Sequence, residues 1–192
     1  MSKVVIVGAG AAGIVAARTL RAKGVESVLL EARNRVGGRA LTDVAALGIP
    51  VDLGCAWLHS AEENLWTPYA REHGFTVIER DPIWRQRIGT RLTTPEWQAE
   101  WQAAWQRNEA LIADVVKSGR DVPVSEIVPN DEHRPLWDAI MTWMMGTESE
   151  HVSAVDFDRY EDTMRNWPIR EGFGTVIAHA ARDLDVRLNT VV

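Results

Sequence analysis

The chain opens on an uninterrupted apolar run, Val4-Val5-Ile6-Val7, followed at once by glycine. Such a run, without polar alternation, predicts a strand buried on both faces of a parallel sheet. From Ala11 the apolar positions space at helical intervals through Ala16, Ala17 and Leu20, and Gly24 is the expected stop. A second strand, Ser27-Val28-Leu29-Leu30, ends on Glu31. Further on, Thr67 and Pro68 predict a helix start and Gly74 its stop, and "FTVIER" from Phe75 reads as a strand. Thr94 and Pro95 repeat the device for a long helix that ends at Ser118-Gly119. On that helix Trp97, Trp101 and Trp105 recur every four residues, and Leu111, Ile112 and Val115 extend the face. Leu136, Ile140, Trp143 and Met144 predict another amphipathic helix. Both stripes read as core packing. At the far end Gly172 and Gly174 mark a turn, Val176 to Leu184 a helix, and Val186 to Val192 a β-branched strand.

Strand, glycine turn, helix and second strand together form half of a nucleotide-binding unit. Gly8, Gly10 and Gly13 make G-x-G-x-x-G at the turn. In that pattern the first glycine allows the tight turn, the second lets backbone approach a pyrophosphate, and the third lets helix and strand pack closely. The free N–H groups at the helix start, at Ala11 and Ala12, favour an anion. Glu31 lies eighteen residues after Gly13, where a carboxylate can accept hydrogen bonds from the adenosine ribose. Its charge disfavours a ribose 2′-phosphate, which leaves NAD or FAD. A second glycine pair, Gly37-Gly38, precedes Arg39 and can cradle another face of the pyrophosphate, an arrangement a simple nicotinamide dehydrogenase does not need.

Composition narrows the classes. With 192 residues, 46% hydrophobic and 25% charged, the chain suits a globular fold, and a net charge of −6 argues against nucleic-acid binding. One cysteine, Cys55, permits no internal disulfide or thiolate zinc cluster and reads as a small buried residue. No metal site is expected. The opening "MSKVVIVGAG" lacks the apolar core of a signal peptide, and no apolar run approaches a membrane span, so a cytoplasmic location with no membrane contact is expected. Seven of nine tryptophans lie between Trp84 and Trp167, a shift that predicts a second region with its own packing. No H-E-x-x-H, G-x-S-x-G or Walker-type loop appears.

Three stretches, "VVIVGAGAAGIVAARTL", "EARNRVGGRALT" and "VDLGCAWLH", resemble the flavin-containing amine oxidases. The first two are shared with phytoene desaturases and protoporphyrinogen oxidases, so they imply FAD; the third leans toward the polyamine-oxidising branch. The resemblance implies an α/β fold with a Rossmann-like FAD-binding domain of the glutathione-reductase type, interrupted by a mainly helical, incomplete substrate domain. The expected division is 1–80 for the FAD-binding part, 81–168 for the helical part and 169–192 for a return segment. By the same resemblance Glu31, with Ala32, holds the adenosine ribose, and Arg33 and Arg39 lie near the pyrophosphate or flavin. The backbone of Gly54, Cys55, Ala56 and Trp57 runs along the isoalloxazine, and Val192 reaches the adenine. His59 matches an active-site histidine of the polyamine branch, although Ser60 stands where a glycine is usual. From the residues alone His59 is either a hydrogen-bonded structural residue or a substrate-side group.

The implied activity is hydride transfer from an amine C–H to flavin, with O2 reduced to H2O2. The acidic segment from Gly146 to Asp162 could meet cationic amines, or be a solvated loop. The resemblance spans the whole chain but less than half of a typical family member, so the expectation is the front part of a flavoenzyme, inactive alone. It would be completed by a second chain or prone to self-association. The rival readings are a non-catalytic nucleotide-binding subunit or remnant, and an FAD-dependent desaturase-like enzyme.

Overall fold

A computed structural model describes residues 3–80, 87–88 and 90–192. In chain order the elements are β1 (Val4–Val7), α1 (Ala11–Ala22), β2 (Ser27–Leu30), β3 (Thr42–Asp43), β4 (Val51–Asp52), β5 (Trp57–Leu58) and α2 (Trp66–Glu72). There follow β6 (Arg87–Ile88), β7 (Arg91–Leu92), α3 (Pro95–Lys117), α4 (Val124–Ile127) and α5 (Arg134–Met145). A 3-10 turn (Ser149–His151), α6 (Ala154–Asp158), β8 (Trp167–Pro168), α7 (Phe173–Ala180) and β9 (Val186–Arg187) complete the order. The chain forms two units, Met1–Pro82 with Asp162–Val192, and Ile83–Glu161. Residues 162–168 thus cluster with the nucleotide-type unit, because Trp57 and Leu58 pair with Pro168 and Trp167.

The first unit is built on a parallel sheet in the order β1-β2-β9, with Val4 opposite Ser27 and Leu29 opposite Val186. Helix α1 crosses over between β1 and β2, and it ends where Gly24 takes φ +73°. Ile14, Ala17 and Leu29 pack with Val176, Ile177 and Ala180 of α7 into one buried cluster. β1 is not buried on both faces as its apolar run predicts: Val5 is 57% and Val7 66% exposed. Within the three-stranded sheet β1 has a neighbour on one side only.

Several boundaries differ from the sequence pattern for identifiable reasons. α2 begins at Trp66, because Asn64 Oδ1 accepts from the Trp66 N–H, while the Thr67 hydroxyl turns inward and donates to the Ala61 carbonyl at 2.5 Å. The stretch from Phe75 is a single bridge, Val77 to Ile169, rather than a strand. α7 starts at Phe173 and ends at Ala180, short of Leu184. Strand β9 stops at Arg187; Asn189 then takes φ +53°, and Asn189 and Thr190 donate their N–H groups to the Arg33 and Glu31 carbonyls.

The second unit is helical, apart from the β6–β7 pair. Thr94 caps α3 as predicted, accepting from the Trp97 N–H at 3.2 Å, and Pro95 starts it. Trp101, Ile112, Trp137, Met141 and Phe157 form the core, with Trp97 and Trp105 partly buried against it. On α3 one position departs from the expected stripe, and on α5 the buried face is displaced. Leu111 is exposed, and on α5 the inward positions are Trp137 and Met141, leaving Trp143 69% exposed. The acidic segment is not a loop. Ser149, Val152, Ala154 and Phe157 are buried, and Ser153 caps α6 while donating to Asp121. Among the described residues no helix is long and apolar enough to cross a membrane, and no cluster of three or more His, Cys, Asp or Glu could hold a metal.

In the first unit an aromatic cluster joins α1, α2 and α7. The Tyr69 hydroxyl meets His179 Nδ1 at 3.0 Å, His73 stacks on Tyr69 at 4.0 Å, and Arg18 lies over the Tyr69 ring. Burial holds the His179 pKa below its ordinary 6.5; Arg182, His73 and Arg18 push the same way, and Asp183 opposes them. The unfolded chain therefore binds this proton more readily than the folded one. Its stabilising contribution is complete above about pH 6.5 and is lost progressively as pH falls below that and through the lowered folded-state value. Thermal melts should show a lower melting temperature at pH 5.5 than at pH 7.5, with a reduced difference in His179→Gln. An unchanged difference would remove His179 from the effect.

Candidate nucleotide-binding site

Two glycine loops lie back to back at the carboxyl ends of β1 and β2. Gly8 takes φ +93°, open only to glycine at low cost, and turns the chain into α1. A methyl group on Gly13 would lie 2.0 Å from the Gly8 carbonyl oxygen, so the turn closes onto the helix only without one. Gly10 and Gly37 form a parallel bridge, and the Gly37 N–H donates to the Ala9 carbonyl at 2.8 Å. A methyl group on Gly38 would come within 3.2 Å of Gly10 Cα. The seam between the loops is thus backbone on both sides.

Glu31 closes one end of this seam. It is buried; Oε2 accepts from the Ala9 N–H and Oε1 from the Arg33 N–H, both at 2.9 Å. Those two backbone bonds, Arg33 first, hold its carboxyl below the usual carboxylate range despite burial, so it is ionised at neutral pH. Each oxygen retains acceptor capacity for a further donor. Ala32 and Arg33 are exposed beside it.

Arg33 and Arg35 both donate to the Gly38 carbonyl, at 3.1 and 3.0 Å, and fasten the second loop. Arg35 was not singled out from sequence, although it sits in the same "EARNRVGG" run. Arg39 is exposed, and its carbonyl accepts from the Cys55 N–H at 3.3 Å. That contact brings residues 54–57 alongside the loop. Gly54 is obligatory there, since a methyl group would lie 1.8 Å from the Arg39 carbonyl oxygen. Cys55 is exposed rather than buried, because its N–H end is tied to Arg39 and its side chain turns outward from the short β4–β5 connection. Ala56 and Trp57 are half-buried. Val192 is 80% exposed; the backbone that reaches the Glu31 region is that of Asn189 and Thr190.

The aspartate of "VDLG" has a structural task the sequence did not disclose. Asp52 Oδ2 accepts from the Phe173 N–H at 2.9 Å, and Oδ1 from the Gly174 N–H at 3.1 Å and the Thr42 hydroxyl at 2.6 Å. Thr42 Oγ1 in turn accepts from the Thr175 N–H at 3.0 Å. The first amides of α7 are capped from β3 and β4, and a methyl group on Gly174 would lie 2.4 Å from the Thr42 nitrogen.

His59 is exposed beyond β5 and its Nδ1 lies 2.5 Å from Oδ1 of buried Asn166. Ser60 has φ +46°, which accounts for glycine being common at such a turn; its carbonyl accepts from Glu63 and Asn64.

The arrangement agrees with what the chain matches. The family profile described as NAD(P)-binding Rossmann-like domain covers residues 6–72. Polyamine oxidase 3 of Oryza sativa subsp. japonica is 52% identical over 65 residues, 33% of this chain and 13% of that protein. Nicotine dehydrogenase of Pseudomonas putida is 42% identical over 80 residues, 42% of this chain and 16% of that protein. Among solved structures, putrescine oxidase bound to putrescine matches with a TM-score of 0.65 at 22% identity, over 97% of this chain and 50% of that one. The chain therefore spans about half the length of the solved relative, and the sequence matches fall within a smaller share of the curated ones. The chain thus carries a Rossmann-like nucleotide-binding domain, shares the fold of putrescine oxidase, and is similar over about a third of its length to polyamine oxidases.

Proposed function

We propose that the seam between residues 8–13 and 37–38 binds the pyrophosphate of FAD, with Glu31 accepting from the adenosine ribose, and that the chain is part of an oxidoreductase acting on amines. The observation that carries the reading is the ionised, backbone-held Glu31 beside two glycine loops in contact. The residues present fit the group: Gly10 and Gly38 leave no side chain in the seam, and Arg33, Arg35 and Arg39 set positive charge along it. Residues 54–57, tied to Arg39, would lie along the flavin ring. FAD held there would supply a two-electron acceptor for an amine C–H bond. The protein's part is to bind, orient and exclude water, with His59 on the substrate side. An amine substrate is supported by the names of the relatives, polyamine oxidase, nicotine dehydrogenase and putrescine oxidase.

A second reading is a nucleotide-binding subunit without catalysis of its own; the family profile matches the nucleotide-binding part alone, residues 6–72.

The test is the visible spectrum and FAD affinity of the purified protein. Glu31→Ala should weaken FAD binding by about 1.5–3 kcal/mol, roughly 10- to 150-fold, because the ribose hydroxyls lose a charged acceptor. Unchanged affinity removes Glu31 from the site; binding of NAD but not FAD overturns the flavin assignment. Peroxide formation with added amine then separates the enzyme from the subunit.

A further inference from the structure

We infer that Trp97, Trp101, Trp105 and Trp137 of the helical unit form a relay for an oxidising equivalent, which comes to rest on Trp105 as its proton passes to Glu109. Neither the relay nor its end point depends on the nucleotide site. Trp97, Trp101, Trp105 and Glu109 recur every four residues on α3 and so share one face of that helix. Trp97 stacks on Trp101, with ring centroids 6.2 Å apart and planes 10° from parallel. Trp101 lies 5.8 Å from Trp105, and Trp105 lies 4.4 Å from Trp137 of α5. The rings therefore run without a gap from half-buried Trp97 to Trp137 in the core.

The four rings are not equivalent. Indole is among the side chains that lose one electron most readily, and the radical cation so formed has an acidic N–H. The fate of that proton decides where the electron vacancy stays. Trp137 is fully buried, and among the described residues its Nε1 has no hydrogen-bond partner. A cation there would be unsolvated and unable to shed its proton, which is costly in an apolar interior. Phe157, 5.9 Å beyond, is much harder to oxidise and ends the chain of rings. Trp105 is the opposite case. Its Nε1 donates to Glu109 Oε1 at 2.7 Å, the length of a charge-assisted bond, and Glu109 is exposed. Among the described residues no other ring of the four donates to a carboxylate.

A one-electron oxidant, such as a trivalent ruthenium complex, takes one electron from a ring of the relay and is itself reduced by one. An electron from Trp105 fills the vacancy. The Trp105 N–H bond breaks as its proton moves to Glu109, which leaves a neutral indolyl radical beside a carboxylic acid. A thiol in solution then gives one hydrogen atom to the Trp105 nitrogen, and Glu109 releases its proton to water. The oxidising equivalent has left the core, and Trp137 is spared.

The experiment oxidises the whole protein by flash photolysis of ruthenium tris-bipyridine with persulfate and follows the visible absorbance, in which radical cation and neutral radical differ. Wild type should form the neutral radical in a fast phase, and Trp105→Phe should lose that phase. Glu109→Gln keeps a hydrogen-bond acceptor but is no base, and should slow the phase by about a hundredfold, the lower end of what a positioned base contributes. A bond that is merely structural would leave Glu109→Gln like wild type. A wild type without the fast phase, or a fast phase intact in either variant, overturns the inference. Glu109→Gln, a change at the surface, decides the case even where Trp105→Phe fails to fold. Peptide mass spectrometry after limited oxidation reads the relay itself. Wild type should carry oxidised products on Trp105, with Trp101 and Trp137 spared. In a Trp105→Phe protein that melts as a folded unit, the products should move to Trp101 and Trp137. Core tryptophans left unmodified in that folded variant overturn the relay.

Discussion

Asp52→Ala is expected to lower the stability of the nucleotide-type unit by about 3–5 kcal/mol, a drop in melting temperature of roughly 10–20 °C. The carboxylate accepts from two α7 amides and the Thr42 hydroxyl, and Thr42 passes the connection on to a third amide. Removing it leaves those donors without their acceptor at a helix start that is otherwise without a side-chain cap. Asp52→Asn keeps one acceptor oxygen and should lose about half as much. Thr42→Val removes the hydroxyl that donates to Asp52 and accepts from Thr175 but leaves the two amides on Asp52, and should cost least. Thermal or urea unfolding followed by far-UV circular dichroism gives the ranking. A melting temperature for Asp52→Ala within a few degrees of wild type would mean that the cap carries little of the unit's stability.

The second expected result separates folding from binding within one motif. Gly13→Ala should destabilise the unit by about 3–5 kcal/mol and abolish FAD binding, since its methyl group would lie 2.0 Å from the Gly8 carbonyl oxygen and 3.4 Å from Ile6 Cγ2. Neither is the free end of a flexible side chain, so helix and turn must separate. Gly10→Ala meets only Gly38 Cα, at 3.8 Å, and Gly10 has an ordinary φ of −82°. Its melting temperature should stay within a few degrees of wild type while FAD affinity falls by about tenfold or more, because the methyl group enters the seam where the pyrophosphate would lie. Melting and FAD titration of both variants check the pair. A Gly13→Ala protein that melts like wild type, or a Gly10→Ala protein with full affinity, would contradict this account of the loop.

How much of this was legible beforehand depends on how far apart the cooperating residues lie. The turn from β1 into α1, the cap at Thr94 and the stops at Gly24 and Ser118-Gly119 depend on neighbours within a turn of helix, and sequence pattern reads them correctly. The buried face of α5 lies one position from the one its apolar spacing predicts. Trp143 is as apolar as Trp137, and nothing local says which one α3 and α6 will cover. Thr67 looked like a cap because it precedes Pro68; the Ala61 carbonyl claimed its hydroxyl instead.

By itself the sequence determined the parallel βαβ start, the glycine turn with Glu31 at the next strand end, and a separate tryptophan-rich helical unit. Each follows from spacing within about thirty residues, where periodicity and backbone permissiveness are local properties. Only the tertiary structure decided that Gly38 lies against Gly10, that Asp52 and Thr42 cap α7, and that Asn166 meets His59. Those contacts join positions up to 133 residues apart, and a side chain's partner across such a distance is chosen by how the elements pack.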